Sequence, residues 1–164
     1  MNNAGGNTDR HRPAPAGLAA TRDAWLANLE ANLVSAVLVT TALEPRLVPD
    51  GRVVTIGSIA GARGGGSYGA AKAGVVAWNA DLAARLGGRG ITANVVAPGL
   101  VEDTEFFGDT LGEERRAMLV GQAANKRAGT PADVAAAVAF LASPGAGHLT
   151  GQVVHLNGGA FLGR

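Results

Sequence analysis

The sequence predicts an α/β domain built on a parallel sheet, and three observations carry that prediction. Short apolar runs rich in β-branched residues recur at 52–56, 91–96 and 152–156. Longer helical patterns lie between them, so neighbouring strands need crossover connections, and crossovers impose parallel pairing. The chain has 164 residues, 47% hydrophobic and 16% charged, which is enough for one real core. Three strands are few for an open sheet with helices on both faces, so the predicted sheet is incomplete.

The elements follow in order. Residues 7–20 are polar, rich in Pro, Ala and Gly, and aperiodic, which reads as a loop. Thr21 is placed to cap a helix with Asp23 in its first turn. That helix runs to about Leu43, because Trp25, Leu29, Asn32, Leu33, Ala36 and Val37 recur at three- and four-residue steps. Pro45 and Pro49 close it. Pro49-Asp50-Gly51 turns the chain into the strand 52–56. Residues 58–66 form a Gly-rich loop before a second helix at 67–86, which Gly87-Gly88 ends. The strand 91–96 stops at Pro98-Gly99, and the mixed stretch 100–129 holds a short helix near 113–122. Thr130 caps the last helix, with Pro131 at its first position and Asp133 in its first turn, and it runs to about Ala142. Asn157-Gly158-Gly159 terminates the strand 152–156.

Composition excludes several function classes. A net charge of +1, with no Lys/Arg stripe or tail, argues against a nucleic-acid partner. No cysteine is present, which removes disulfides, thiolate zinc sites and a cysteine nucleophile. His11, His148 and His155 lack metal-type spacing, so no metal site is expected. No apolar run is long enough on this reading to cross a membrane. The polar start Met1-Asn2-Asn3-Ala4 is not a signal peptide, and a cytoplasmic location is the expectation.

One motif carries most of the chemistry. Tyr68 and Lys72 stand four apart on the second helix and share a face. An ammonium beside a phenol favours the phenolate, which would bring Tyr68 into range for acid/base work near neutral pH. Tyr68 is the only tyrosine in the chain. Ser58 follows the strand 52–56, at the strand end where open α/β sheets bind ligands, and a hydroxyl there can hold a carbonyl oxygen. Ser58 is not a hydrolase elbow, since Ile56 stands where that motif needs Gly. Gly64-x-Gly66-x-x-Gly69 matches a dinucleotide fingerprint by letter and fails by context. It does not turn directly from a strand, and Asp81 lies inside a helix rather than at a strand end.

Taken together, Asn2-Asn3-Ala4-Gly5, Asn32 in a long helix, Ser58 after a strand, Tyr68-x-x-x-Lys72, Pro98-Gly99 after the next strand, and Thr150-Gly151 followed by Asn157-Gly158-Gly159 occur in a familiar order. The chain resembles the short-chain dehydrogenase/reductase family along essentially its whole length, in particular the branch of 3-oxoacyl-[acyl-carrier-protein] reductases. The resemblance implies that Tyr68 gives a proton to a carbonyl oxygen or takes one from an alcohol, and that Ser58 holds that oxygen. It implies that Lys72 lowers the Tyr68 pKa and holds the nicotinamide ribose, and that Asn32 anchors a water in a proton relay. Asn2, Ala4 and Gly5 would line the cofactor cleft, and Pro98, Gly99, Val101 and Thr104 would flank the nicotinamide. The cofactor would be NADP or NAD, the substrate a small carbonyl or alcohol. The assembly would be a homodimer or homotetramer built on the helices 21–44 and 67–86.

Three departures from the family pattern shape the expectation. The N-terminal T-G-x-x-x-G-x-G is absent, and the chain opens on a segment that follows the fourth strand in the family. The expected unit at 1–164 is therefore a partial domain. It is the C-terminal part of a Rossmann-like doubly wound sheet without its adenosine-binding half, and it is inactive alone. Ser58 and Tyr68 are closer in sequence than is usual, and Thr104 falls one position late, so that Asp103 competes for its role. The alternative reading is a non-catalytic truncated homologue, or an interaction module that pairs through its long helices.

Overall fold

The computed structural model describes residues 1–10, 12–108 and 111–163; His11 lies outside them. Among the described residues the sheet has three strands: β1 (Arg52–Ile56), β2 (Thr92–Pro98) and β3 (Val153–Leu156). They lie in the order β1-β2-β3, all parallel, with Val54 opposite Asn94 and Val96 opposite Val154. Outside β1, Asn2 adds a parallel bridge to Thr55: its N–H donates to the Val54 carbonyl and its carbonyl accepts from Ile56 N–H. On that edge β1 thus has a parallel neighbour only as a single bridge.

Side chains alternate across β1 and divide the core in two. Val53 packs with Leu82, Leu86, Ile91 and Ala93, and with Trp78 at the margin, beneath α4 (Gly66–Gly87). Val54 packs with Val96, Leu141 and Ala146 on the opposite face, under α6 (Pro131–Ala142). Helices therefore cover both faces, and both predicted long helices take part in the packing, since α1 (Gly17–Leu29) lies on α4.

The first helix differs from expectation at both ends. It starts at Gly17 rather than near Thr21, directly after the Pro13–Pro15 stretch. Thr21 sits one turn inside and donates its hydroxyl to the Gly17 carbonyl, so it is not a cap. At Glu30–Val34 the helix widens into a π-helical turn before continuing as α2 (Ser35–Leu43). Such bulges concentrate at functional sites. The buried face runs through Asn28, Asn32, Ala36 and Thr40, whereas Trp25, expected in the packed stripe, is 45% exposed. By length and composition the run Gly17–Arg46 is apolar enough to cross a membrane, which corrects the expectation that no such run exists. Here it packs on α4 along its Asn-bearing face and leaves Leu26, Val34, Leu38, Val39 and Leu43 exposed.

Two shorter helices complete the fold. α3 (Ala60–Arg63) is hidden in sequence by the Gly-rich loop around it, and α5 (Glu113–Gln122) forms where expected. α6 begins with the predicted cap, closed in both directions. The Thr130 hydroxyl accepts from Asp133 N–H, and the Asp133 carboxylate accepts from Thr130 N–H at 2.9 Å. Because α6 covers the sheet next to the site, losing this cap costs the whole domain. We expect Thr130→Ala to lower unfolding free energy by about 1 kcal/mol, read as a lower urea midpoint at unchanged slope.

Candidate active site

The carboxyl ends of β1 and β2 open into a cavity of about 1030 Å³. This is where parallel sheets place ligands, because the loops leaving the strands diverge there. Ser58, Tyr68, Lys72, Pro98, Gly99, Val101 and Thr104 all line it, together with Asn3, Gly5 and Arg10. Asn2 and Ala4 do not: the Asn2 amide donates to the Thr40 and Thr55 hydroxyls instead. Thr104, and not Asp103, faces the cavity.

Tyr68 is 8% exposed and shares the cavity wall with Ser58, whose hydroxyl favours its phenolate. The short Ser58–Tyr68 spacing closes because α3 coils the intervening chain; the Ser58 hydroxyl also accepts from Ala60 N–H at 3.1 Å. One helical turn on, Lys72 is 5% exposed and donates from Nζ to the Ile56 carbonyl at 2.9 Å. Its Nζ stands 5.8 Å from the Tyr68 ring centroid. Burial lowers Lys72 to about 8. Burial also pushes the Tyr68 hydroxyl above its ordinary value, opposed by the Ser58 hydroxyl and by the Arg10 guanidinium. The expectation that Lys72 draws Tyr68 toward neutrality is therefore not met here. Desolvation of the phenol outweighs the charges around it, and Tyr68 is protonated at neutral pH.

Asn32 sits in the π-helical turn, almost fully buried, and does not line the cavity. Its amide clamps the loop above: Oδ1 accepts from Gly6 N–H at 3.1 Å, and Nδ2 donates to the Gly6 carbonyl at 2.8 Å. Gly5 takes a positive φ of 137°, and a Cβ there would meet Asn32 Oδ1 at 2.6 Å, so the clamp requires glycine. Gly99 has a similar constraint, since a Cβ would stand 2.9 Å from Asn157 Cβ.

Two residues of the site escape sequence reading. Asn28 is fully buried, accepts from Thr8 N–H and donates to Ser67 Oγ at 2.9 Å. Two amides four apart on a packed helix face, Asn28 and Asn32, are the signal that could have found it. Arg10 lies in an aperiodic loop, and its guanidinium stacks over Phe106 and Phe107, 4.5 and 4.0 Å from their centroids. Nothing local in the sequence announces that contact. In the mixed stretch 100–129, Phe106 and Phe107 line the cavity, whereas Leu111, Met118 and Leu119 do not.

The residues fit one end of a nicotinamide dinucleotide. Gly5 and Gly99 keep backbone close to the cavity where side chains cannot stand, and a buried ammonium lies at its floor.

Comparison with known proteins agrees with this geometry. A family described as enoyl-(acyl carrier protein) reductase matches residues 1–160. The chain is 39% identical over 143 residues to the 3-oxoacyl-[acyl-carrier-protein] reductase of Escherichia coli K12, covering 84% of this chain and 58% of that protein. Against the Vibrio cholerae reductase of the same name it is 37% identical over 143 residues, with the same coverage. The chain thus spans less than two thirds of the length of the curated relatives it matches. A crystal structure of 3-oxoacyl-[acyl-carrier protein] reductase from Brucella melitensis superposes with a TM-score of 0.85 at 28% identity, over 99% of this chain and 62% of that one. A short-chain dehydrogenase/reductase of the glucose/ribitol dehydrogenase type from the same organism gives 0.80 at 30% identity, over 86% of this chain and 58% of that one.

Proposed function

This chain belongs to the short-chain dehydrogenase/reductase family, and we propose from that premise that it forms the catalytic and substrate-binding part of an NAD(P)-dependent oxidoreductase interconverting a carbonyl and an alcohol. The observation that carries the reading is that Ser58, Tyr68 and Lys72 line one cavity, with the Lys72 ammonium 5.8 Å from the Tyr68 ring centroid. A nicotinamide, when bound, supplies or accepts the hydride. Lys72, Pro98, Gly99, Val101 and Thr104 would hold it, with Gly5 and the loop that Asn32 clamps on the opposite side.

The chain's own residues handle the oxygen and its proton. Ser58 Oγ orients the carbonyl oxygen. Tyr68 Oη, protonated at neutral pH, donates its proton to that oxygen as the carbon becomes tetrahedral, and recovers it in the oxidative direction. Phe106, Phe107 and Val134 keep water from the substrate side. The exposed apolar side chains Leu26, Val34, Leu38 and Val39 on the long helix favour pairing with a second copy. A soluble cytoplasmic setting suits both the cofactor and the substrate class.

Alone, the 164-residue polypeptide should bind the cofactor weakly. Among the described residues no glycine-rich turn leads straight from a strand into a helix, the element that holds a diphosphate. Calorimetric titration with NADPH and NADH is expected to show no micromolar site. Joined to the dinucleotide-binding segment of an intact relative, the same residues should oxidise NADPH or NADH in the presence of a ketone. Micromolar binding by the isolated chain would overturn the first expectation, and a joined protein that binds cofactor but turns over no carbonyl would favour a non-catalytic pairing module.

A further inference from the structure

We propose that the Arg10 guanidinium is the binding site for a carboxylate carried by the substrate, so that the carbonyl compound is an oxo acid and the alcohol a hydroxy acid. This rests on the reading of Tyr68 as the group that meets the reacting oxygen.

Arg10 stands apart from the other arginines that are held in place. Arg85 pairs with Glu44, Arg116 with Glu102, and Arg127 with Asp133, all at the surface. Arg10 lines the cavity, and among the described residues it has no acidic partner. Its Nε is buried and meets no acceptor. The neighbouring Asp9 forms no ion pair with it, and its carboxylate accepts from Ser67 Oγ at 2.6 Å. Glu105 also lines the cavity, and no ion pair joins it to Arg10 among the described residues. Lys72, the other cation of the cavity, is engaged by the Ile56 carbonyl.

The guanidinium is also fixed in orientation. Phe106 and Phe107 lie against it, and the loop that carries it is tied down by Thr8 N–H to Asn28 and by Asp9 to Ser67, which Asn28 also holds. Arg10 lines the cavity, and its planar guanidinium carries N–H donors that a carboxylate matches. The Phe106 ring that supports Arg10 stands 5.8 Å from the Tyr68 ring, so the cation lies one aromatic ring from the proton donor. A ligand whose oxo group reaches Tyr68 and whose carboxylate reaches Arg10 is a short one.

The test compares 4-oxopentanoate with its methyl ester, which keeps the ketone and removes the charge. Binding to the 164-residue chain is followed by ligand-observed NMR at neutral pH. The acid is expected to bind at least ten times more tightly than the ester. Arg10→Gln should erase that preference while leaving ester binding and the melting temperature unchanged, and Tyr68→Phe should retain it. Equal binding of acid and ester, undetectable binding of the acid, or a preference that survives Arg10→Gln each overturns the proposal. In the joined protein, Tyr68-dependent turnover with no distinction between acid and ester would leave the oxidoreductase reading standing and remove this one. Arg10-dependent acid binding without turnover would do the reverse.

Discussion

Tyr68→Phe in the joined protein is expected to lower turnover by about 10²- to 10⁴-fold while cofactor affinity stays within a factor of about two. The substitution deletes one oxygen. Phe keeps the ring, its place on α4 and its contact with Phe106, so packing in the cavity is preserved. What disappears is the transferable proton. Ser58→Ala removes a hydrogen bond to the reacting oxygen but leaves the proton donor, so its cost is that of one such donor, roughly 2.7–4 kcal/mol at most. The pH dependence separates proton transfer from mere positioning. Burial holds the Tyr68 hydroxyl above its ordinary value, and the protonated form is the active one in reduction. The rate of ketone reduction should therefore be level through neutrality, fall first near 8 as Lys72 loses its proton, and show a second, Tyr68-dependent limb only as pH rises past the free tyrosine value of about 10. Tyr68→Phe should leave only a residual rate that lacks this limb. A variant that kept most of its rate, or kept the limb, would place the proton donor elsewhere. Because Tyr68 is the only tyrosine, phenolate absorbance reports its ionisation directly in the same samples.

Strands and their parallel order were legible because burial on both faces forces continuous β-branched runs, as at Val53, Val54, Val95 and Val96. The α6 start was legible because Thr130, Pro131 and Asp133 each act within one turn. The start of the first helix was not. A hydroxyl at Thr21 bonds equally well back to the Gly17 carbonyl, and the true N-cap, Ala16, has no side chain to announce it. The π-helical turn at Glu30–Val34 has no compositional mark, yet it is where Asn32 is placed to clamp Gly6. In the site, Ser58, Tyr68 and Lys72 could be found from spacing because one strand end and one helix turn carry all three. Arg10 could not, since its partners Phe106 and Phe107 are distant in sequence and meet it only through the fold. The electrostatics were legible in part. Residue types suggested an acidified tyrosine, but the balance turns on how deeply Tyr68 and Lys72 are buried, and burial is a property of the packed chain.

Lys72→Met is expected to stabilise the fold near neutral pH while disabling the site. Lys72 is held at about 8 by burial, well below the value near 10.4 of a free lysine. A lysine whose folded pKa is depressed destabilises the native state wherever both states are protonated, that is, below about 8. The penalty is relieved as pH rises from there, because the folded chain sheds its proton before the unfolded one does. Unfolding free energy should accordingly climb by about 2 kcal/mol between about pH 7.5 and 9.5 in the unsubstituted chain. Tyr68 titrates above this window, and its raised value acts in the opposite sense only beyond it. Met matches the length of the lysine stem and carries no charge, so the variant should be level across the window. At pH 7.5 it should be more stable by about 1–3 kcal/mol, less whatever the Ile56 carbonyl loses with its 2.9 Å donor. In the joined protein the same substitution should weaken cofactor binding as well as turnover, unlike Tyr68→Phe, because in the proposed function Lys72 holds the cofactor ribose and stands 5.8 Å from the Tyr68 ring. Urea midpoints at several pH values decide the matter. A pH-independent midpoint in the unsubstituted chain, or a Met variant no more stable than its parent at pH 7.5, would mean that Lys72 is solvated or paired in solution and is not the buried cation on which this site is built.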